Sequence, residues 1–108
     1  MELQMITNET LVQGFEAYSK KWSGDVYCSD DVLCFIDFCY SEYLQNTKQE
    51  EDEEAYELLG EIIQNAYDHF QRDMTDEDDD EPYLINKDTL DTFKIYFNHY
   101  REKLEKRL

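Results

Sequence analysis

The chain has 108 residues, a length that suits one domain with a modest core and is too short for two. Hydrophobic residues make up 41% of it and aromatic residues 15%, which is more core material than a disordered acidic tail carries. Its 27 acidic and 10 basic side chains give a formal net charge of -17, which disfavours binding to nucleic acid or to an anionic membrane. We therefore expect one folded domain, residues 1–108, with cationic partners.

The cysteines and the start of the chain predict a cytoplasmic protein. Cys28, Cys34 and Cys39 are odd in number and lie in the first forty residues, a pattern that favours reduced thiols over a secreted disulfide scaffold. The segment Met1–Ile6 has no basic targeting region, and no apolar run approaches the roughly 18 residues that a membrane span requires. We expect neither targeting nor membrane insertion.

Two helices are predicted in the first half, at about residues 8–22 and 30–46. The first begins at a capping Asn8, should end at Ser23-Gly24, and carries an apolar stripe at spacings of four, three and four: Leu11, Phe15, Tyr18 and Trp22. The second follows a capping Ser29 and is apolar around most of its circumference, which predicts that it is the central, best-buried element. Residues 24–28 between them are compatible with a short extended piece.

Two further helices are predicted at about residues 50–73 and 87–107, with an acidic loop at 74–86 between them. The third helix carries a periodic apolar stripe from Ala55 to Phe70, and the fourth carries one from Leu90 to Leu104. Either Asn86 or Asp88 can cap the fourth helix, and Tyr83, Leu84 and Ile85 are candidates to anchor the loop to the core. The fold class is therefore all-α, a single four-helix bundle-like domain whose connectivity the linkers leave open.

Residues with metal-binding or catalytic chemistry do not form a recognisable site. His69 and His99 lack a carboxylate three residues earlier, and Cys34 and Cys39 fall on different faces of one helix. Asp76, Asp78 and Asp80 open like a calcium loop, but its turn glycine and final glutamate are missing. No phosphate-binding loop or nucleophile motif is present. We expect no metal, no cofactor and no enzymatic activity.

The distribution of charge is the strongest signal in the sequence. Residues 49–81 hold fifteen acids and one base, Arg72, which leaves a net charge of only -3 on the rest of the chain. One interpretation is that these acids only solubilise the protein. However, solubility is satisfied by a net charge of magnitude about 2 to 8 on a small domain, so we favour a basic partner that compensates the excess. Carboxylates in the places of phosphates would pair with its arginines and block a nuclease.

In its size, its helical pattern and its acidic blocks Glu50–Glu54 and Asp76–Glu81, the chain resembles the small acidic immunity proteins that protect bacteria from their own nuclease toxins. The helical immunity proteins that oppose bacteriocin and contact-dependent-inhibition RNases are the most similar group. The resemblance implies a non-enzymatic cytosolic inhibitor that forms a tight one-to-one complex with its cognate toxin and blocks the toxin's active site or a surface next to it. We expect a monomer or a 1:1 heterocomplex. It carries no motif from which individual site residues can be transferred.

Two alternatives stay open. A phage-encoded nucleic-acid mimic that inhibits a host restriction, CRISPR or other DNA-binding protein would need the same excess of acids. A non-enzymatic helical adaptor would instead bind through an apolar groove, and its binding would be nearly insensitive to salt.

The predicted partner-binding site is the acidic loop, supported by the exposed flank of the third helix. It comprises Asp76, Glu77, Asp78, Asp79, Asp80, Glu81, Tyr83, Asp73, Asp68, Glu61 and Glu57. The two ends of a twenty-residue helix are about 30 Å apart, so one compact pocket in a partner cannot hold every acid. Tyr56, Tyr67 and Tyr83 lie closest in sequence to the acids; most tyrosines should be core residues, with one or two serving as partner anchors.

Overall fold

The computed structural model describes residues 6–22, 26, 29–48, 50–75 and 85–107, with only the backbone of residues 29 and 107. Four helices account for most of these residues: α1 (Asn8–Trp22), α2 (Ser29–Thr47), α3 (Glu53–Met74) and α4 (Leu90–Arg107). The predicted all-α fold class is confirmed. The described residues include no strand, but Val26 and Ile85 form an isolated antiparallel bridge, which places a single extended residue inside the 24–28 segment.

The start of α3 was predicted three residues too early. Asp52 stands outside the helix with φ -152° and ψ 90°, and its Oδ1 accepts a hydrogen bond from the Ala55 amide at 3.1 Å. The Asp52 amide donates to the Tyr40 hydroxyl of α2 at 2.7 Å. Because these two contacts hold Asp52 as the N-terminal cap, Glu50 and Glu51 precede the helix instead of forming its first turn.

The start of α4 was also predicted three residues too early. The Asn86 Oδ1 accepts hydrogen bonds from the amides of Asp88, at 2.8 Å, and Thr89, at 2.9 Å. This Asx arrangement occupies residues 87–89 with a turn before the helix begins at Leu90. Asn86 thus caps this turn, and its carbonyl accepts a hydrogen bond from the Leu90 amide at 2.9 Å, where the helix begins. Ile85, one of the three predicted anchors, is buried in the core; Tyr83 and Leu84 lie outside the described residues.

Consecutive helices pack against each other, α1 on α2, α2 on α3 and α3 on α4, while α1 and α4 make a thinner contact. One aromatic ring from each helix joins a continuous chain through the core. Phe15 of α1 lies 6.1 Å from Phe35 of α2, and Phe35 lies 6.3 Å from Phe93 of α4. Phe93 in turn lies 5.6 Å from Phe70 of α3, edge to face. This packing supplies the connectivity that the sequence left open.

The second helix, predicted to be the best-buried element, buries five apolar residues, Val32, Phe35, Ile36, Cys39 and Tyr43, and exposes part of the rest of its apolar surface. Leu33 of α2 is 51% exposed, and Phe38, Tyr40 and Leu44 are only partly buried. By contrast, α3 buries a full apolar stripe: Ala55, Leu59, Ile62, Ile63, Ala66, Tyr67 and Phe70. Since α2 carries more apolar surface than it buries, part of that surface faces outward.

Gly14 of α1 packs directly against Cys39 of α2. A Cβ added to Gly14 would lie 2.8 Å from the Cys39 Cα and would clash with its Sγ. Burial, and then the nearby Glu42 carboxylate, raise the pKa of the Cys39 thiol well above its ordinary value. The Cys39 thiol is therefore an inert packing group, whereas Cys34 is only partly buried. Cys28 lies outside the described residues.

None of the helices in the described part of the chain is long and apolar enough to cross a membrane.

Candidate protein-interaction face

Charge is segregated by helix. In α2 there are four acids and no base: Asp30, Asp31, Asp37 and Glu42. In α3 there are six acids, Glu53, Glu54, Glu57, Glu61, Asp68 and Asp73, against Arg72 alone. In α4 there are five basic and three acidic residues, and in α1 there are two of each. Because α2 and α3 pack side by side, we call the side of the bundle that they form, together with residues 50–52, the acidic face.

Three of the predicted partner-binding residues form a line along α3. Glu57, Glu61 and Asp68 are all exposed and are spaced by four and then seven residues, which places them within a narrow sector of the helix. From the rise of a helix, Glu57 and Asp68 are about 16 Å apart along the axis. The predicted exposed flank of the third helix therefore carries three carboxylates in one sector, with Gln64 and Asn65 between Glu61 and Asp68. Glu61 also lines a cleft with Tyr100 and Lys103 of α4.

Asp73, the fourth predicted partner-binding residue on α3, is turned towards α4 and away from that line. The Tyr96 hydroxyl donates to the Asp73 Oδ2 at 2.9 Å, and the His69 Nε2 lies 3.3 Å from the same oxygen. The Tyr100 hydroxyl lies 3.1 Å from the His69 Nδ1. Partial burial, followed by the bond to Asp73, raises the pKa of Tyr96. Asp73 thus helps to join α3 to α4, although it keeps an exposed side chain.

The remaining predicted site residues, Asp76 to Glu81 and Tyr83, lie outside the residues that the structure describes. The two histidines belong to the α3–α4 edge, as expected for ordinary helix-surface or core-edge residues. His69 is half-buried, His99 is exposed, and their rings are 6.2 Å apart. Among the described side chains, no group of three histidines, cysteines or carboxylates is placed to hold a metal ion.

The acidic face contains a cleft at the junction of α2 and α3. It has a volume of about 340 Å³ and is lined by Tyr40, Glu51, Glu53, Tyr56 and Glu57. The two tyrosine rings meet edge to face, with centroids 5.1 Å apart. Three carboxylates and no base border this space, which we call the tyrosine–glutamate cleft.

Hydrogen bonds between the helices hold the walls of this cleft. The Tyr56 hydroxyl donates to the Asp37 Oδ1 of α2 at 2.8 Å, and the Tyr40 hydroxyl accepts from the Asp52 amide. The bond to Asp37, then burial, then the charge of that carboxylate raise the pKa of Tyr56. Both rings are therefore fixed before any ligand arrives. Aromatic rings beside carboxylates suit an arginine or lysine side chain, which can stack on the rings and pair with the acids.

Sequence reasoning identified Tyr56 as a possible anchor but missed Asp37 and Tyr40. These two residues precede Tyr56 by 19 and 16 positions and belong to another helix, so that only the packing of α2 on α3 brings them to the cleft. The apolar character of α2 around much of its circumference was the one available signal. Tyr67, also considered as an anchor, is buried in the core.

The opposite side of the bundle differs in charge. Between α1 and α4 lies a cleft of about 570 Å³ with an apolar floor that includes Phe15 and Leu90. Its rim carries three lysines, Lys20, Lys87 and Lys94, with Glu16 and Asp91. Lys94 pairs with Asp91 at 2.9 Å. The excess of negative charge is thus confined to the α2–α3 side of the described structure.

The fold and the face define an all-α domain with one acidic side. No protein-family model, no curated protein and no solved structure matches this chain.

Proposed function

We propose that this chain is a non-enzymatic inhibitor that binds a basic, nucleic-acid-acting protein through its acidic face, and specifically an immunity protein that blocks a nuclease toxin. The single observation that carries the proposal is the segregation of charge. The carboxylates of α2 and α3 share one side of the bundle, and they surround a cleft bordered by Glu51, Glu53 and Glu57 with no base. Such a face complements a surface built to bind phosphates.

The row of carboxylates on α3 extends this complementarity beyond the cleft. Glu57, Glu61 and Asp68 are exposed on a rigid helix, so their carboxylates are held in a fixed register. Arginine binds carboxylate and phosphate with the same two-pronged geometry, so a phosphate-binding arginine can accept a carboxylate instead. The inhibitor would then occupy the nucleic-acid site or the surface beside it.

The large negative charge of the chain lowers the stability of the fold. A net charge of -17 on 108 residues destabilises the compact state by self-repulsion. Complementary charge on a partner offsets that repulsion and accelerates association towards about 10^8 per molar per second at low salt. A helical adaptor that binds through an apolar groove gains nothing from such a field, and its binding would be nearly insensitive to salt.

The test uses the intact chain immobilised as bait for a lysate of the source cell, at low and at high ionic strength. We expect capture of a basic nucleic-acid-acting protein at low salt and its release at high salt. Adding the free chain in equimolar amount to the captured protein should then suppress cleavage of an RNA or DNA substrate. Salt-resistant capture of a partner without nucleic-acid activity would contradict the proposal.

A second experiment tests whether the predicted acidic loop binds the partner. Reversing the charges of Asp78, Asp79 and Asp80 together should weaken capture if the loop takes part in the interface. An immunity role further predicts a toxin domain encoded beside this chain, whereas a block of short phage genes would instead indicate a nucleic-acid mimic.

A further inference from the structure

A second cleft lies on the other flank of α2, between α2 and the end of α1. It has a volume of about 280 Å³ and is lined by Lys21, Trp22, Cys34, Asp37, Phe38 and Ser41. Trp22 is the only tryptophan of the chain, and 55% of its surface is exposed. Tryptophan is rarely left so exposed without use, because it buries a large area and is strongly enriched at the energetic centres of interfaces. We call this space the tryptophan cleft.

Asp37 connects the tryptophan cleft to the tyrosine–glutamate cleft. Its side chain lines the first of these, and it accepts the hydrogen bond from Tyr56, whose ring lines the second. The two clefts therefore flank one residue of α2, and a single partner segment can reach both.

The two clefts differ in chemistry. The tryptophan cleft has one base, Lys21, and one acid, Asp37, so it is neutral overall and is walled by Trp22 and Phe38. The tyrosine–glutamate cleft has three carboxylates and no base. The first suits a large apolar side chain, and the second suits a guanidinium or ammonium group.

We propose that α2 is the centre of the interface and that both clefts are filled by one segment of the partner. A large apolar side chain of that segment packs against Trp22, and a neighbouring arginine or lysine enters the tyrosine–glutamate cleft. This inference rests on the proposed function only for the basic nature of the partner. It names the partner's chemistry: a basic protein segment in which arginine or lysine stands beside leucine-like residues, not a surface of uniform positive charge.

The test exploits Trp22 as the sole tryptophan. The intact chain is titrated with two synthetic peptides of equal charge, one that alternates arginine with leucine and one that alternates arginine with serine. We expect the arginine–leucine peptide to shift the Trp22 emission and to bind at least about tenfold more tightly, as one buried leucine side chain predicts. Equal affinities, or binding that leaves the emission unchanged, would overturn the inference.

A second test does not depend on fluorescence. Calorimetry measures the affinity of two matched variants for the same two peptides. Trp22→Ala should remove the preference for the arginine–leucine peptide. Ile95→Ala truncates another exposed apolar residue, 68% exposed on α4, and should leave that preference intact. If Ile95→Ala lowers the preference as much as Trp22→Ala does, the tryptophan cleft is not the binding site.

The two proposals can fail separately. If a basic nuclease is captured and inhibited but Trp22→Ala binds it as tightly as the unaltered chain does, the inference fails and the proposed function stands. If no nuclease is inhibited but the arginine–leucine peptide still binds at Trp22, the proposed function fails and the two-cleft surface stands.

Discussion

Tyr56 of α3 donates its hydroxyl to the Asp37 carboxylate of α2, with 2.8 Å between the two oxygens. The same relationship recurs where Tyr96 of α4 donates to Asp73 of α3, at 2.9 Å. In these pairs a neutral phenol takes the place of a base as the partner of a carboxylate. Tyrosine thus satisfies carboxylates between helices without reducing the negative charge of the acidic face.

These bonds predict how stability depends on alkaline pH. The pKa values of Tyr56 and Tyr96 are raised above the ordinary value of 10.0, so the folded state holds the protonated phenols more tightly than the unfolded chain does. That stabilisation is complete below the unfolded pKa and is lost as pH rises through the folded pKa.

We therefore expect the free energy of unfolding to fall more steeply above pH 10 in the unaltered chain than in a Tyr56→Phe/Tyr96→Phe variant. Urea denaturation on both sides of that pH measures the difference. Parallel pH profiles for the two proteins would show that these hydroxyls do not couple to folding.

The cap of α3 predicts a specific loss of stability. Asp52→Ala removes the acceptor of the Ala55 amide and should cost about 1 kcal/mol in the free energy of unfolding. Asp52→Asn keeps a capping oxygen and should stay close to the unaltered protein. Glu51→Ala, at the neighbouring exposed position before the cap, is the control in the same urea titration. A cost for Glu51→Ala equal to that for Asp52→Ala would contradict the capping role.

The two described glycines predict opposite effects of the same substitution. Gly14→Ala pushes a methyl group against the backbone of Cys39 and should cost about 1 to 3 kcal/mol, because α1 and α2 must separate. Gly60→Ala meets no atom within 4 Å and should stabilise α3 by roughly 0.5 to 1 kcal/mol. Thermal unfolding of the two variants side by side measures both. The close packing of α1 on α2 would be refuted if Gly14→Ala were neutral.

The acidic face predicts that stability rises with salt. Because its like charges repel, raising the ionic strength from about 0.01 M to 0.1 M shortens the screening length from about 30 Å to 10 Å and should raise the melting temperature. Neutralising two residues of the exposed row, in Glu57→Gln/Asp68→Asn, should raise it at low salt and weaken its response to salt. A melting temperature that falls with added salt would mean that attraction, not repulsion, dominates the face.

Much of the fold could be predicted from the chain itself, because helix periods and caps are local signals. The bounds of α1 were predicted correctly. Both ends of α2 and the C-terminal end of α3 were correct to within one residue. The start of α3 was misplaced because Asp52, its cap, stands among other acidic residues. The start of α4 was misplaced because Asn86 caps a turn at residues 87–89 and the helix begins only after that turn.

The candidate site was less predictable. The row of Glu57, Glu61 and Asp68 follows from helical spacing, and its exposure was expected. The pairing of Tyr56 with Asp37 depends on how α2 lies against α3, a relationship that no local pattern encodes. The same is true of Trp22, which belonged to the apolar stripe of the first helix but is mostly exposed at its end.

The central claim is that carboxylates of the acidic face bind a basic partner, and the most direct measurement compares the affinity of two double variants for the captured nuclease. Glu53→Gln/Glu57→Gln neutralises two walls of the tyrosine–glutamate cleft, and Glu102→Gln/Glu105→Gln makes the same change in charge at exposed positions of α4. We predict that the first variant raises the dissociation constant at least about tenfold at low salt, while the second changes it little. Equal effects of the two variants would show that only net charge matters and would contradict a binding face on α2 and α3.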